Sequence, residues 1–362
     1  MCSQRAEKLA KSLSKKMIKT SVVALSLLFA GLSSSDIGES IARFSPFAAA
    51  PVMFAQASST ATAFRMPAIT APQLSSGTSC KAMTTLRLGP TSASLKKVCA
   101  VDGKILVNGK NATGFAMEDV KSLRYGPLLR GENVPNIQVQ RVSETAARAD
   151  SVLGLGLVNV SNGIGKAVFR DLVWIGDKNY PSINSDDAWA AIALKGKDAN
   201  DIGSFAISNF DFQNLFMKSG SYYQNVDGIS TEAGYSGTIS NGRVLNASDA
   251  CLDIKGKVRV DNVYLAGCRQ GIKAWTDQSH GLVELGTNRF VGIIGKGTKT
   301  KTRTITIDVL IASGDPSVPL FRAEDGVVNL RIGRLVSKTG QVLNSSSSYS
   351  GSTVTVGQRV YF

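Results

Sequence analysis

The chain has 362 residues, 43% hydrophobic and 7% aromatic, with 35 Gly, five Cys and a single His. That is ample for a core, while a Gly-, Val-, Ile-, Asn- and Ser-rich body punctuated by turns argues against a helical architecture. The formal net charge of +14 favours acidic partners. No aromatic-plus-Arg stripe accompanies it, which argues against nucleic acid, and the cysteine spacing matches no zinc module.

Residues 1–57 read as a targeting segment. Arg5, Lys8, Lys11, Lys15, Lys16 and Lys19 face only Glu7, and an apolar run follows over residues 21–32. A basic stretch before about a dozen apolar residues is a secretory signal pattern, too short for a confident membrane span. Ala55-Gln56-Ala57 offers a small-residue cleavage site beyond a second apolar stretch at residues 44–54. The expectation is export to a secreted, periplasmic or cell-surface location. An uncleaved N-terminal anchor is the alternative, and the one route by which the chain would meet a membrane. Cys2 falls in this segment, and four cysteines remain. An even number in an exported chain suggests two disulfides, Cys80 with Cys99 and Cys251 with Cys268. The alternative is buried thiols packed as small hydrophobes.

Residues 58–79 are rich in Ser, Thr, Ala and Pro and read as a linker. Residues 80–362 read as one solenoid domain. Its first part, residues 80–150, holds short strands and turn signals such as Asp102-Gly103 and Asn108-Gly109, as expected of a cap and early coils.

The clearest coils lie in residues 151–290. Four segments there read alike: Phe169-Arg170-Asp171-Leu172-Val173-Trp174, Ile207-Ser208-Asn209-Phe210-Asp211-Phe212, Ile239-Ser240-Asn241-Gly242-Arg243-Val244 and Val260-Asp261-Asn262-Val263-Tyr264-Leu265. Recurrence of one strand unit at intervals of roughly two to four tens of residues marks a solenoid. The fold class expected is all-β, a right-handed single-stranded parallel β-helix (solenoid) behind an N-terminal targeting segment. Asp171, Asn209, Asn241 and Asn262 are expected to stack at one turn as a structural ladder. A second strand column aligns Ile229, Ile254 and Ile272 pointing inward. Gly228, Asp253, Gly271, Ser230, Lys255 and Lys273 then point outward. Residues 291–362 form C-terminal coils and a cap, with a basic loop at 296–303 and a closing strand at 353–362.

Polar residues on consecutive coils cluster between 227 and 280: Asp227, Glu232, Asp249, Asp253, Lys255, Arg269, Lys273 and His280. Outward side chains on neighbouring coils lie ~4.8 Å apart. Carboxylates on one lip of a groove and cations on the other are expected, with Lys255 beside Lys273.

The run from Asp227 to Glu232, then Ala247 to Lys255, then Arg269 to Trp275 resembles right-handed parallel β-helix proteins of the pectate-lyase-like superfamily, best over residues 225–275. The resemblance implies a carbohydrate-active protein that cleaves an anionic, uronate-containing polysaccharide by β-elimination. It implies calcium held by Asp227, Asp249, Asp253 and Glu232. Lys255 or Lys273 would be the base, and Arg269 would pair with a substrate carboxylate. Trp275, His280, Tyr222 and Tyr223 are candidate substrate contacts. The family's adjacent acidic pair is interrupted here, because position 250 is Ala, and His280 lacks the partners a hydrolase needs. The rival expectation is a non-catalytic polysaccharide-binding or adhesin-like surface protein, with the charged column as cross-coil ion pairs. A free Lys or Arg above converging oxygens would favour the lyase; mutual ion pairing would favour the rival.

Overall fold

A computed structural model describes residues 63–83, 86–87, 93–103, 107–108, 113–122, 129–132, 134–147, 158–161, 165–178, 189–196, 203–215 and 225–362. The expected targeting segment, Tyr222 and Tyr223 lie outside these residues. The described residues are all-β, with no helix. Their strands fall into two sheets, a major one of twelve strands and a minor one of ten, and nearly every step along the chain switches sheet. All pairings between these strands are parallel. Each coil thus adds one strand to each sheet, the arrangement of a parallel β-helix-like solenoid.

One apolar row per position fills the space between the sheets. Ile192, Ile229, Leu252, Ile272, Ile293 and Phe321 succeed one another in the minor sheet. Leu172, Phe210, Gly242, Val263, Val283, Leu310 and Leu335 do so in the major sheet, all buried, with the Phe210 ring filling the space a side chain at Gly242 would take. Each such side chain stabilises the fold by about 1.5–3 kcal/mol relative to exposure.

The major strands are bent rather than straight. Lys97, Asp119, Arg141, Asp171, Asn209, Asn241 and Asn262 all have positive φ, between 49° and 56°. They occupy equivalent positions in successive strands. Asn and Asp enter this left-handed region more readily than other residues because a short polar side chain bonds locally. Asn262 Nδ2 donates to Asn241 Oδ1 at 2.8 Å, and Asn209 Nδ2 to Asp171 Oδ1 at 3.2 Å. The four-residue ladder read from the repeat is present and extends three coils further toward the N-terminus. A second corner repeats the device, with Asn214, Asn246 and Gly267 at positive φ and Asn246 Nδ2 donating to Asn214 Oδ1 at 3.3 Å.

The register of the minor sheet differs from expectation. Leu252, not Ile254, sits between Ile229 and Ile272, while Ile254 pairs with Thr231 and Ala274. A two-residue shift leaves Ile254 pointing inward, so the hydrophobic pattern alone does not distinguish the two registers. Lys255 and Lys273 are consequently not direct neighbours. Gly228 and Gly271 face the core rather than solvent. A Cβ on Gly228 would meet Val244 Cγ1 at 2.4 Å, and one on Gly271 would meet Leu285 Cδ2 at 2.7 Å. Strict alternation fails at the strand starts, where two consecutive residues turn inward, as Cys251 and Leu252 do.

Both expected disulfides are present. Cys80–Cys99 joins the first major strand to the next, with Cα atoms 4.4 Å apart. Cys251–Cys268 ties a minor strand to the turn that begins the following one, at 5.5 Å. Closing loops of 19 and 17 residues contributes about 3 kcal/mol each in the chain-entropy account. Disulfides fit an oxidising compartment.

Residues 63–74 run extended along the outside of the coils, ahead of a turn at Ser75–Thr78. The Phe64 N–H donates to Glu284 at 3.0 Å, Thr70 N–H to Asp171 at 3.3 Å and Gln73 N–H to Asp119 at 2.8 Å. The Phe64 ring stacks on Tyr264 at 5.9 Å. Glu284 and Asp119 lie six strand steps apart, about 29 Å at ~4.8 Å per step. Nine residues of extended chain at ~3.2 Å each cover the same distance. Pro67 and Pro72 suit such a segment, since proline holds φ near its extended value. This strap crosses the strands instead of pairing with them.

Candidate functional site

The clustered residues of the minor sheet stand in rows set by register, with Glu232, Lys255 and Lys273 half-buried and Asp227, Asp249 and Asp253 buried. Thr231, Ile254 and Ala274 form the last paired row. Lys255 N–H bonds to Thr231 O, and Trp275 N–H to Ile254 O. The row beyond therefore holds Lys195, Glu232, Lys255, Trp275 and Lys296. An inner row holds Ser230, Asp253 and Lys273.

Each candidate base is already engaged. Lys255 Nζ donates to both Glu232 oxygens at 2.9 and 3.0 Å, with Lys195 also 3.7 Å from that carboxylate. Lys273 Nζ donates to Asp249 Oδ2 at 2.6 Å. Burial alone would depress the Lys273 pKa, but Asp253, Asp249 and Asp227 around it outweigh that and hold it above the ordinary lysine value. A general base working near neutral pH needs the opposite shift.

The candidate metal ligands are spent on protein donors. Asp227 is fully buried, and its Oδ1 accepts from the Ala250 N–H at 2.9 Å. Burial, reinforced by Asp253 and Asp249, pushes its pKa well above the usual carboxylate range. That direction favours the uncharged form, in which an Oδ2 without a hydrogen-bond partner costs less. Asp253 Oδ1 accepts from the Trp275 indole N–H at 2.6 Å, and burial raises its pKa also. Calcium requires six to eight oxygens converging on one point. Among the described residues no three His, Cys, Asp or Glu side chains are so grouped. As placed, these carboxylates do not fit that ion.

The remaining expected residues are scattered. Arg269 lies at the opposite end of the strand Gln270–Ala274, exposed, its guanidinium 5.0 Å from the centroid of Phe290. Trp275 is exposed, with the ammonium groups of Lys255 and Lys296 at 5.4 and 5.2 Å from its ring centroid. His280 does not reach this face. It lies fully buried in the major sheet, where Nδ1 accepts from the Val260 N–H at 3.1 Å. Burial, with a contribution from Arg259, pushes its pKa down to about 3. It is a neutral interior residue and not a substrate contact.

Sequence reasoning missed Lys195, Lys296, Arg289 and Phe290. Lys296 ion-pairs with Glu324 and lies 3.3 Å from Asp325, and Arg289 donates to Ser248 O at 2.6 Å. The signal that would have found Lys195 and Lys296 is positional: each stands just at the end of its minor strand, as Lys255 does. A partly open pocket is lined by Leu285, Asn288, Gly292, Ala312, Leu320 and Gln341. Comparison with family models, curated proteins and solved structures gave no match.

Proposed function

We propose that this chain is an exported, non-catalytic β-helix protein that binds anionic polysaccharide through the outer face of its minor sheet. In this reading it is a right-handed solenoid of the pectate-lyase-like kind that keeps the architecture without the chemistry. The observation that carries the reading is the state of the two lysines. Lys255 is paired with Glu232, and Lys273 is paired with Asp249 with its proton held more tightly than usual. β-Elimination asks for a free base above a bound cation, and here both lysines are taken up by carboxylates. What the face does offer is cations beside exposed aromatic rings, suited to acidic sugars whose apolar faces stack on aromatics. Two disulfides and the N-terminal basic-then-apolar pattern support an exported location.

The test combines the purified protein with polyuronates and acidic exopolysaccharides, with and without calcium. Ultraviolet absorbance reports the unsaturated product of elimination, and co-sedimentation reports binding. The expected result is no product under either condition, with binding that weakens as salt rises. A calcium-dependent product that disappears in Lys255→Ala or Lys273→Ala would replace this reading with the lyase.

A further inference from the structure

Two consecutive coils carry cation–aromatic pairs in reciprocal order. The strand Gln270–Ala274 is flanked by Arg269 and Trp275, and the strand Ile293–Lys296 is preceded by Phe290 and ends in Lys296. Their register, Ile272 opposite Ile293, sets Arg269 beside Phe290 at one rim and Trp275 beside Lys296 at the other. The Phe290 N–H to Arg269 O bond of 3.2 Å confirms the first pairing. Cation-to-centroid distances are 5.0 Å for Arg269 and Phe290 and 5.2 Å for Lys296 and Trp275. Phe290 is 53% exposed and Trp275 38%. Among the described residues these are the only large hydrophobics exposed before residue 342. The five-residue strand Gln270–Ala274 separates the rims, six steps from Arg269 to Trp275 or about 20 Å.

We infer that the two rims are the ends of one binding site, occupied by a single anionic polysaccharide chain lying across the coils, parallel to the strands. This rests on the polysaccharide-binding reading above and adds the ligand's direction and minimum length. Each end offers a ring face or edge for a sugar; Arg269 supplies a cation at one end, and at the other Lys296 exchanges its pairing with Glu324 and Asp325 for the sugar's acidic group. The floor between them is different: Asp253 is engaged by Trp275, and Asp249 by Lys273. A polymer with acidic groups at intervals fits a site whose cations stand at its two ends, separated by a floor where Lys273 is taken up by Asp249. A single-stranded nucleic acid fits less well, since it favours a continuous basic groove and a run of stacking rings.

Calorimetry with uronate oligosaccharides of increasing length, from the disaccharide upward, tests the inference. Affinity is expected to rise by about a hundredfold over a narrow length interval, once one molecule reaches both rims and the second contact becomes intramolecular. Phe290→Ala at one rim and Lys296→Gln at the other should each abolish that step while leaving disaccharide binding at the intact rim. Lys296→Gln leaves the Trp275 bond to Asp253 in place, and circular dichroism verifies the fold of both variants. A smooth rise with length, or a step that survives both substitutions, overturns the bridged site but leaves polysaccharide binding standing. Equal affinity for a neutral glucan or a single-stranded oligonucleotide overturns the ligand class. Absence of binding to every oligosaccharide and polymer overturns both readings.

Discussion

The left-handed corner of the major sheet and the outer rows of the minor sheet use one device, a polar side chain at the same register position in coil after coil. They solve different problems with it. At the corner, the side chains of Asn209, Asn241 and Asn262 hold backbone in a conformation most residues resist. On the face, Glu232 merely pairs with Lys255, and Asp249 with Lys273. A column of stacked polar residues in a solenoid is therefore no sign of function by itself. Its worth depends on whether the backbone or only other side chains lean on it.

Three measurements break or sharpen that contrast, beginning with the largest effect. Asn241→Val places a β-branched residue at a φ of 56° and removes the acceptor of Asn262. Strain of about 1–3 kcal/mol plus a lost hydrogen bond of about 1 kcal/mol predicts a loss of roughly 3 kcal/mol, read from the urea midpoint. A loss below 1 kcal/mol would show that the corner is as replaceable as the face. Second, His280 is buried in the same sheet with a pKa lowered to about 3, against the ordinary 6.5. The unfolded chain binds a proton there before the folded chain does. Its contribution is complete above pH 6.5 and falls by about 1.4 kcal/mol per unit as pH drops toward 3. The raised pKa values of Asp227, Asp253 and Glu144 give a slope of opposite sign common to both proteins, so from pH 7 to pH 4 the denaturation midpoint of the native protein should fall relative to that of His280→Gln; parallel curves for the two proteins would remove this role. Third, Glu232→Gln should cost less than about 1 kcal/mol, since its ion pairs are partly solvated. A cost above 2 kcal/mol would make the face structural in the sense that the corner is.

Much of the architecture was legible in the chain. The repeated unit disclosed parallel coils, the Asn and Asp positions disclosed the corner, and the cysteine count disclosed both disulfides. These signals are local and recur with each coil. The register of the minor sheet was not legible, because shifting Ile254 by two residues keeps it on the same side. That ambiguity placed Lys255 beside Lys273 on paper, where the fold separates them by a row. Lys195, Lys296 and Phe290 went unnoticed for the same reason, since rows exist only once register is known. The lone histidine looked like surface chemistry because nothing in Ser279-His280-Gly281 announces an inward side chain. The strap was hidden differently: a Ser-, Ala- and Pro-rich stretch reads as a linker, and its partners lie up to 220 residues away.

That strap has a consequence for the order of assembly. Phe64 emerges from the ribosome early, yet its partner Glu284 is made 220 residues later. The coils can stack one upon another as synthesis proceeds, since each contacts mainly its neighbours. The strap has to wait, because its docking sites are spread over seven strands of the major sheet. The earliest described stretch of chain to be translated is thus among the last to be seated, and its closure marks the moment at which the middle of the solenoid is complete.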